Sequence, residues 1–541
     1  MTASVGTEMA LLVDVGSAWV KASVVGRARG RWRIVAHASQ PTSWGAAELR
    51  RQLVEQLEAT GDPRLAGRYE DLLTTANRIE CHTARQIGRL AVVAVSREIS
   101  GGAARRAAEA AGWEVADVVT LDDGRSLAER LALLQAIEVD AWLLAGSFDD
   151  ASSPRALEAA GLVAAARRVD GGPVVWAGSA RLADPVRALF EPLAVTAVGN
   201  ARPTPHREDG GDLRDHLQGL LRDTVAQEDQ AHLSSATLPR AISAIAASGA
   251  LRVLAVDLGA RGAIRALAEP DGSVASRLHS SGGLAGIAHV AGAAGRVARL
   301  APEAGDEAAV ADLVQTMRAR PETLPQSVEE LAGVQAAARI GLAAMFDDDP
   351  VGPVDLLIGA GRTVAGAPRP AQVARILLDG VRPIGVTQLA VDSASILGPL
   401  GSLPDGELAE GLELLADDAL TSLGSSVVTR GGAPGQLAMR VAVNRAGWPT
   451  PAPYDVRVGQ VQVVPLARGQ EAELVIEPGP GVSLGVSRRS PRITARVTGG
   501  SVGLILDARG TPIPLPRRAD DRRAVLDGWR DAFAREGEAA G

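Results

Sequence analysis

One cysteine, Cys81, leaves this 541-residue chain without an internal disulfide. An inert thiol and a reducing, cytoplasmic setting are expected. Lysine is equally scarce. Lys21 is the only one, and every other long cationic side chain is Arg. Aromatic residues make up 3%, so the core must be built mainly from Ala, Val and Leu. No apolar run is long enough to span a bilayer, so no membrane partner is expected. The first apolar run lacks a basic flank and meets Asp14 almost at once, which argues against a signal peptide or anchor. No basic block stands out, and the formal net charge is −8, which argues against a nucleic-acid surface. The seven His are scattered along the chain and the one Cys lies far from the C-terminal stretch, so a zinc site has almost no support. The Gly-rich stretch 280–286 has neither Walker nor dinucleotide spacing.

What is present is a globular composition, 46% hydrophobic with mean hydropathy +0.08. The length suffices for two or more cores. The most informative stretch is Leu11 to Lys21. An apolar run ends in Asp14, turns at Gly16 and Ser17, and resumes after Lys21 as a second strand. Such a corner sets a carboxylate, backbone N–H groups and a hydroxyl at a strand end, where a phosphate and its metal ion can bind. Lysine suits that corner as a compact point charge that Arg does not replace geometrically. The plain alternative is an ordinary hairpin with a chance lysine. The pattern returns at 251–262, where an apolar strand runs into Asp257, Leu258 and Gly259. A third apolar run, 354–358, leads into Gly359, Ala360, Gly361 and Arg362. Two strand–Asp–x–Gly turns half a chain apart predict a duplicated lobe, with Asp14 and Asp257 facing each other across one cleft.

In this order the three turns resemble those of the actin-like ATPase superfamily, which includes sugar kinases and heat-shock chaperone ATPases. Within it the chain resembles the glutamate mutase L (MutL-like) family, relatives of the reactivating factors of cobalamin-dependent mutases. The resemblance runs from about Leu11 to Leu403. It also takes in 142–150, 173–178, and Val381-Arg-Pro-Ile followed by Leu389-Ala-Val-Asp392. It implies a nucleotide site with Asp14, Gly16, Ser17, Lys21, Asp257, Gly259, Gly359 and Gly361, Mg²⁺ near Asp14 and Asp257, and ATP or ADP as the ligand. Three departures bear on activity. The first turn reads Ser17-Ala18-Trp19-Val20-Lys21 where relatives carry Ser-Thr-x-Thr-Lys. The second lacks both threonines and the second aspartate of Asp-x-Gly-Gly-Ala-Thr-Thr-Asp. The third has Arg362 where a glycine would let the backbone approach the ribose. Phosphoryl transfer depends on positioning and charge stabilisation. The lost donors therefore predict slow or absent hydrolysis, a weak ATPase at most.

The expected fold is α/β, with two similar actin-like lobes around a nucleotide cleft, then a small C-terminal β-domain and a terminal helix. Alternating strands and helices over 1–200 predict a first lobe with a largely parallel sheet. Residues 201–249 read as linker and helices, and 250–430 as the second lobe. Short alternating strands over 431–516 read as a separate, mostly antiparallel β-domain. Residues 517–541 read as a terminal amphipathic helix with Val525, Trp529 and Phe533 on one side. The run Asp347–Asp349 reads as a solvated turn rather than a metal site. Two functions compete. One is an ATP-binding, chaperone-like or reactivating factor acting on a partner enzyme, with a cobalamin-dependent mutase as the partner that the resemblance implies. The other is a non-catalytic pseudo-ATPase scaffold. A sugar kinase ranks third, because no substrate base stands out.

Overall fold

The computed structural model describes residues 9–534, apart from 29, 61–67, 84–87, 112, 138, 168–170, 227–232, 280–281, 347–350, 448, 450–451, 486–491 and 512. The acidic run Asp347–Asp349 lies outside the described residues, as does the chain beyond Ala534. The fold is mixed α/β with parallel sheets. It divides into two compact units, one of residues 1–83 with 231–541 and one of residues 84–230.

The first unit opens with β1 (Met9–Val15), β2 (Trp19–Ala28) and β3 (Arg31–Pro41). Helices α1 (Ala46–Ala59) and α2 (Tyr69–Thr75) lead to β4 (Asn77–His82). Leu49, Leu53 and Leu57 recur at helical spacing and give α1 its buried stripe. The sheet order is β3-β2-β1-β4, with β4 parallel to β1.

The second unit holds β5 (Arg89–Ala94), α3 (Ser100–Ala111), β6 (Glu114–Thr120), α4 (Leu127–Ala136) and β7 (Ala141–Ala145). It continues with α5 (Pro154–Ala166), β8 (Val174–Trp176), α6 (Ala183–Phe190), β9 (Val195–Ala197) and α7 (Gly211–Ala226). Its strands are all parallel, in the order β6-β5-β7-β8-β9. One face is covered by α4, α5 and α6 through Leu134, Val163 and Phe190, the other by α3 and α7 through Ala104, Leu213 and Leu217. Burial on both faces explains the uninterrupted apolar runs of β5 and β7. In α4, Ser126 and Glu129 form a capping box that satisfies the first-turn donors.

The chain then returns to the first unit with α8 (Ser234–Gly249), β10 (Val253–Leu258), β11 (Ala263–Ala268) and β12 (Val274–His279). Helices α9 (Ala293–Leu300), α10 (Glu307–Ala319) and α11 (Val328–Ala344) precede β13 (Leu356–Ala360). Next come α12 (Arg362–Ala365), α13 (Pro370–Val381), β14 (Gly385–Asp392), α14 (Leu397–Leu400), α15 (Asp405–Leu414) and β15 (Leu420–Val428). The strands β16 (Arg430–Gly431), β17 (Leu437–Asn444), β18 (Tyr454–Arg457) and β19 (Val461–Val464) follow. The chain continues through β20 (Glu471–Pro478), β21 (Val482–Ser483), β22 (Ile493–Thr498), β23 (Gly503–Asp507) and α16 (Ala519–Ala534).

An eight-stranded sheet runs β12-β11-β10-β13-β14-β15-β23-β19. Its first four strands repeat the arrangement β3-β2-β1-β4, three antiparallel strands followed by a parallel one. One core joins the two sheets, with Leu12 and Val25 packed together with Leu238, Ile242, Ala255 and Ile358.

Two expected boundaries are corrected by these pairings. Residues 84–230 form their own unit, so the stretch 1–200 is not one lobe, and α7 belongs with the strands before it. The stretch 431–516 is not a separate domain either. Its β17, β18, β20 and β22 make a sheet of their own, but β23 pairs with β15, and β19 with β23, as part of the eight-stranded sheet. Trp529 and Phe533 of α16 join the same core as Leu357 and Leu377. Alternating burial shows that a segment is a strand. It does not show which strand will supply the other half of its hydrogen bonds.

Candidate functional site

Asp14 and Lys21 are register partners across the first hairpin, and the Lys21 Nζ lies 2.6 Å from Asp14 Oδ2. The hairpin turn is closed by the Gly16 N–H donating to the Trp19 carbonyl at 2.9 Å. A Cβ on Gly16 would come within 2.7 Å of that carbonyl oxygen, which explains the glycine. On the neighbouring parallel strand Cys81 stands opposite Asp14, with its Sγ 3.7 Å from Asp14 Oδ1 and Ser234 Oγ at the same distance on its other side. Burial pushes this thiol well up, so it stays protonated.

The second turn repeats this geometry. The Gly259 N–H donates to the Gly262 carbonyl at 3.0 Å, and Asp257 is the penultimate residue of β10. In the third turn Gly361 follows β13 with φ +84°. A side chain there would collide with Asp257 Oδ1 and the Leu258 carbonyl. Strands β10, β13 and β14 are parallel, so Asp257, Gly361 and Asp392 lie together at their carboxyl ends. That is where open α/β sheets bind ligands.

Two small cavities lie among these turns. One, of about 20 Å³, is lined by Gly16, Ser17, Lys21, Asp257, Gly259 and Arg362, among others. The second, of about 10 Å³, is lined by Asp14, Cys81, Asp257, Gly361 and Asp392, among others. Seven of the eight expected residues thus meet at these two cavities. Gly359 does not. It lies inside β13, where a Cβ would come within 2.9 Å of Leu377 and Val364 side chains, so packing explains it.

The charges in this space are strongly coupled. Burial alone would lower the Lys21 ammonium, but the Asp14 and Asp257 carboxylates outweigh it and hold it above its ordinary value. Burial pushes Asp257 up to about 6. Lys21 opposes that rise, and Asp14 and Asp392 add to it. Asp392 is likewise pushed up to about 6 by burial, although it accepts the Leu397 N–H at 3.0 Å and the Ile396 N–H at 3.2 Å. Among the described residues no group of three or more His, Cys, Asp or Glu is placed to hold a metal ion.

Two features were not assigned from sequence. Asp392 is a third strand-end carboxylate, and its signal was the apolar run Leu389-Ala-Val that precedes it. Arg362, read only as a departure from glycine, stacks on the Trp19 ring, 4.8 Å from guanidinium carbon to centroid.

The family model described as MutL protein matches residues 10–419, and the chain belongs to that family, the glutamate mutase L family that its turns resemble. No curated protein matches the chain. Among solved structures, the activator of 2-hydroxyisocaproyl-CoA dehydratase from Clostridium difficile with bound ADPNP is 10% identical, with TM-score 0.27, covering 75% of this chain and 97% of that one. A nucleotide-free acetone carboxylase is 11% identical, with TM-score 0.28, covering 84% and 82%. Xylulose kinase from Bifidobacterium adolescentis is 12% identical, with TM-score 0.24, covering 78% and 96%. Scores this low carry no functional inference to this chain. No helix among the described residues is long and apolar enough to cross a membrane.

Proposed function

We propose that this protein is a nucleotide-binding factor that acts on a partner protein, with a cobalamin-dependent enzyme as the partner class that family membership suggests. The observation that carries the reading is the meeting of Asp14, Lys21, Asp257 and Gly361, from three separate turns, at adjoining cavities. The donor set suits a magnesium nucleotide. Lys21 would face phosphate oxygens, and Asp14 and Asp257 would face the cation, directly or through water. When bound, the cation would neutralise phosphate charge. Nucleotide pockets measure roughly 300–1,000 Å³. Cavities of about 20 and 10 Å³ therefore require the turn walls to part before a nucleotide enters. Parting and closing of the two sheets around ligand would be the motion passed to the partner. Hydrolysis is expected to be slow or absent, because the threonine donors of the first two turns are missing.

One observation favours the second reading, a pseudo-ATPase scaffold. Lys21 is neutralised internally by Asp14 at 2.6 Å and does not await a ligand. Calorimetric titration of the full chain with ATP and ADP, each with and without Mg²⁺, separates the two. Magnesium-dependent binding supports the nucleotide reading. Heats no different from buffer for both nucleotides leave the scaffold.

A further inference from the structure

Arg362 sits at the start of α12, held there by the positive-φ turn at Gly361. Its guanidinium is half-buried and lines the larger cavity beside Gly16, Ser17 and Lys21. The seat is shaped for it. Trp19, itself buried, supplies a flat face, and a side chain at Gly366 would collide with the guanidinium. Yet among the described residues no carboxylate pairs with it, and its buried Nε has no acceptor. Burial, with no carboxylate to offset it, holds this group below its ordinary value. A guanidinium has five donors and no means of shedding its charge, so leaving it half-buried and unpaired is costly. Stacking on an indole satisfies the face of the fork and leaves its N–H edges directed outward in the plane. Lys21, by contrast, has already spent its charge on Asp14.

We propose that Arg362, braced on Trp19, is the phosphate-binding cation of this cleft, and that Lys21 serves mainly to neutralise Asp14. The ligand class is a polyphosphate chain, and the inference deepens the nucleotide reading by naming the residue that grips that chain. Arginine matches phosphate with two parallel donors, which a lysine at the same place does not reproduce.

The test uses the full chain with two probes, inorganic tripolyphosphate and Mg–ADP, titrated at several salt concentrations. Arg362→Ala is expected to weaken both by about tenfold or more, the range of a charge-assisted contact. It should also flatten the dependence of affinity on salt, which a purely structural defect leaves unchanged. Arg362→Lys should recover part of the affinity, and Trp19→Phe most of it. Thermal unfolding of each variant shows whether the fold is retained. If wild-type protein binds Mg–ADP and Arg362→Ala binds it equally well or more tightly, the assignment of Arg362 is overturned while the nucleotide reading stands. If wild-type protein binds tripolyphosphate through Arg362 but not Mg–ADP, the assignment stands and the nucleotide reading falls. Binding of neither probe overturns both.

Discussion

Asp14 and Lys21 are joined at 2.6 Å across a single hairpin, both almost wholly removed from solvent, at 13% and 9% side-chain exposure. Their pairing makes the carboxylate and the ammonium one unit, so neither can be altered without exposing the cost of burying the other.

Lys21→Ala should therefore destabilise the protein before it says anything about ligand. Breaking a buried pair by removing one partner costs about 3–5 kcal/mol. The abandoned Asp14 lies near Asp257 and Asp392, and Asp14→Asn combined with Lys21→Met should recover much of the loss. Urea unfolding of the single and double variants measures the coupling. A double variant no more stable than Lys21→Ala would show that the pair is not what holds this corner together.

Stability should fall as pH rises through the range where Asp257 and Asp392 ionise. Their folded values, about 6, lie above the ordinary 3.8, so the folded state holds protons that the unfolded state has released. The contribution is fully present below about pH 4 and lost as pH passes 6. At about 1.4 kcal/mol per unit it amounts to about 3 kcal/mol for each group. Asp257→Asn should flatten the decline in urea midpoint between pH 4 and 7. Parallel pH profiles for the variant and the wild type would count against a proton-holding pair.

Gly361→Ala should cost about 1–3 kcal/mol, because φ +84° is strained for any other residue. The new methyl would also push against Asp257, so the pH profile just described should shift as well. Differential scanning calorimetry with a pH series reads both effects. An unchanged melting temperature would place this turn outside the constraints described here.

The C-terminal stretch should prove inseparable from the eight-stranded sheet. Arg509, 1% exposed, lies 2.7 Å from both Asp507 and Asp379 and against the rings of Trp529 and Phe533. Arg509→Ala leaves Asp379 buried with Arg339 as its close partner at 3.2 Å and should cost about 3–5 kcal/mol. A chain ending at residue 430 should fail to give a cooperative unfolding transition, because β15 loses β23 and the strands beyond it. A soluble 1–430 chain with a sharp transition would restore the boundary expected from composition.

The sequence alone determined the local pieces. An apolar run ending in Asp, a residue later a Gly, and then a second run can satisfy its backbone as a hairpin, and both such turns are hairpins with their carboxylates at strand ends. The continuous apolar run at 89–95 announced a strand buried on both faces, because a covered sheet tolerates it, and 141–145 announced a further strand. Tertiary structure decided what those pieces meet. A strand's own residues record which faces are buried, not which distant strand supplies its partner, so β23 beside β15 and the unit 84–230 were not legible. The same holds for Gly359, whose place inside β13 depends on Leu377 and Val364 arriving from later helices. Arg362 finds Trp19 across 343 positions of chain, as their numbers show. Such a contact is set by the packing of two sheets on one core, and no spacing or composition along the chain encodes it.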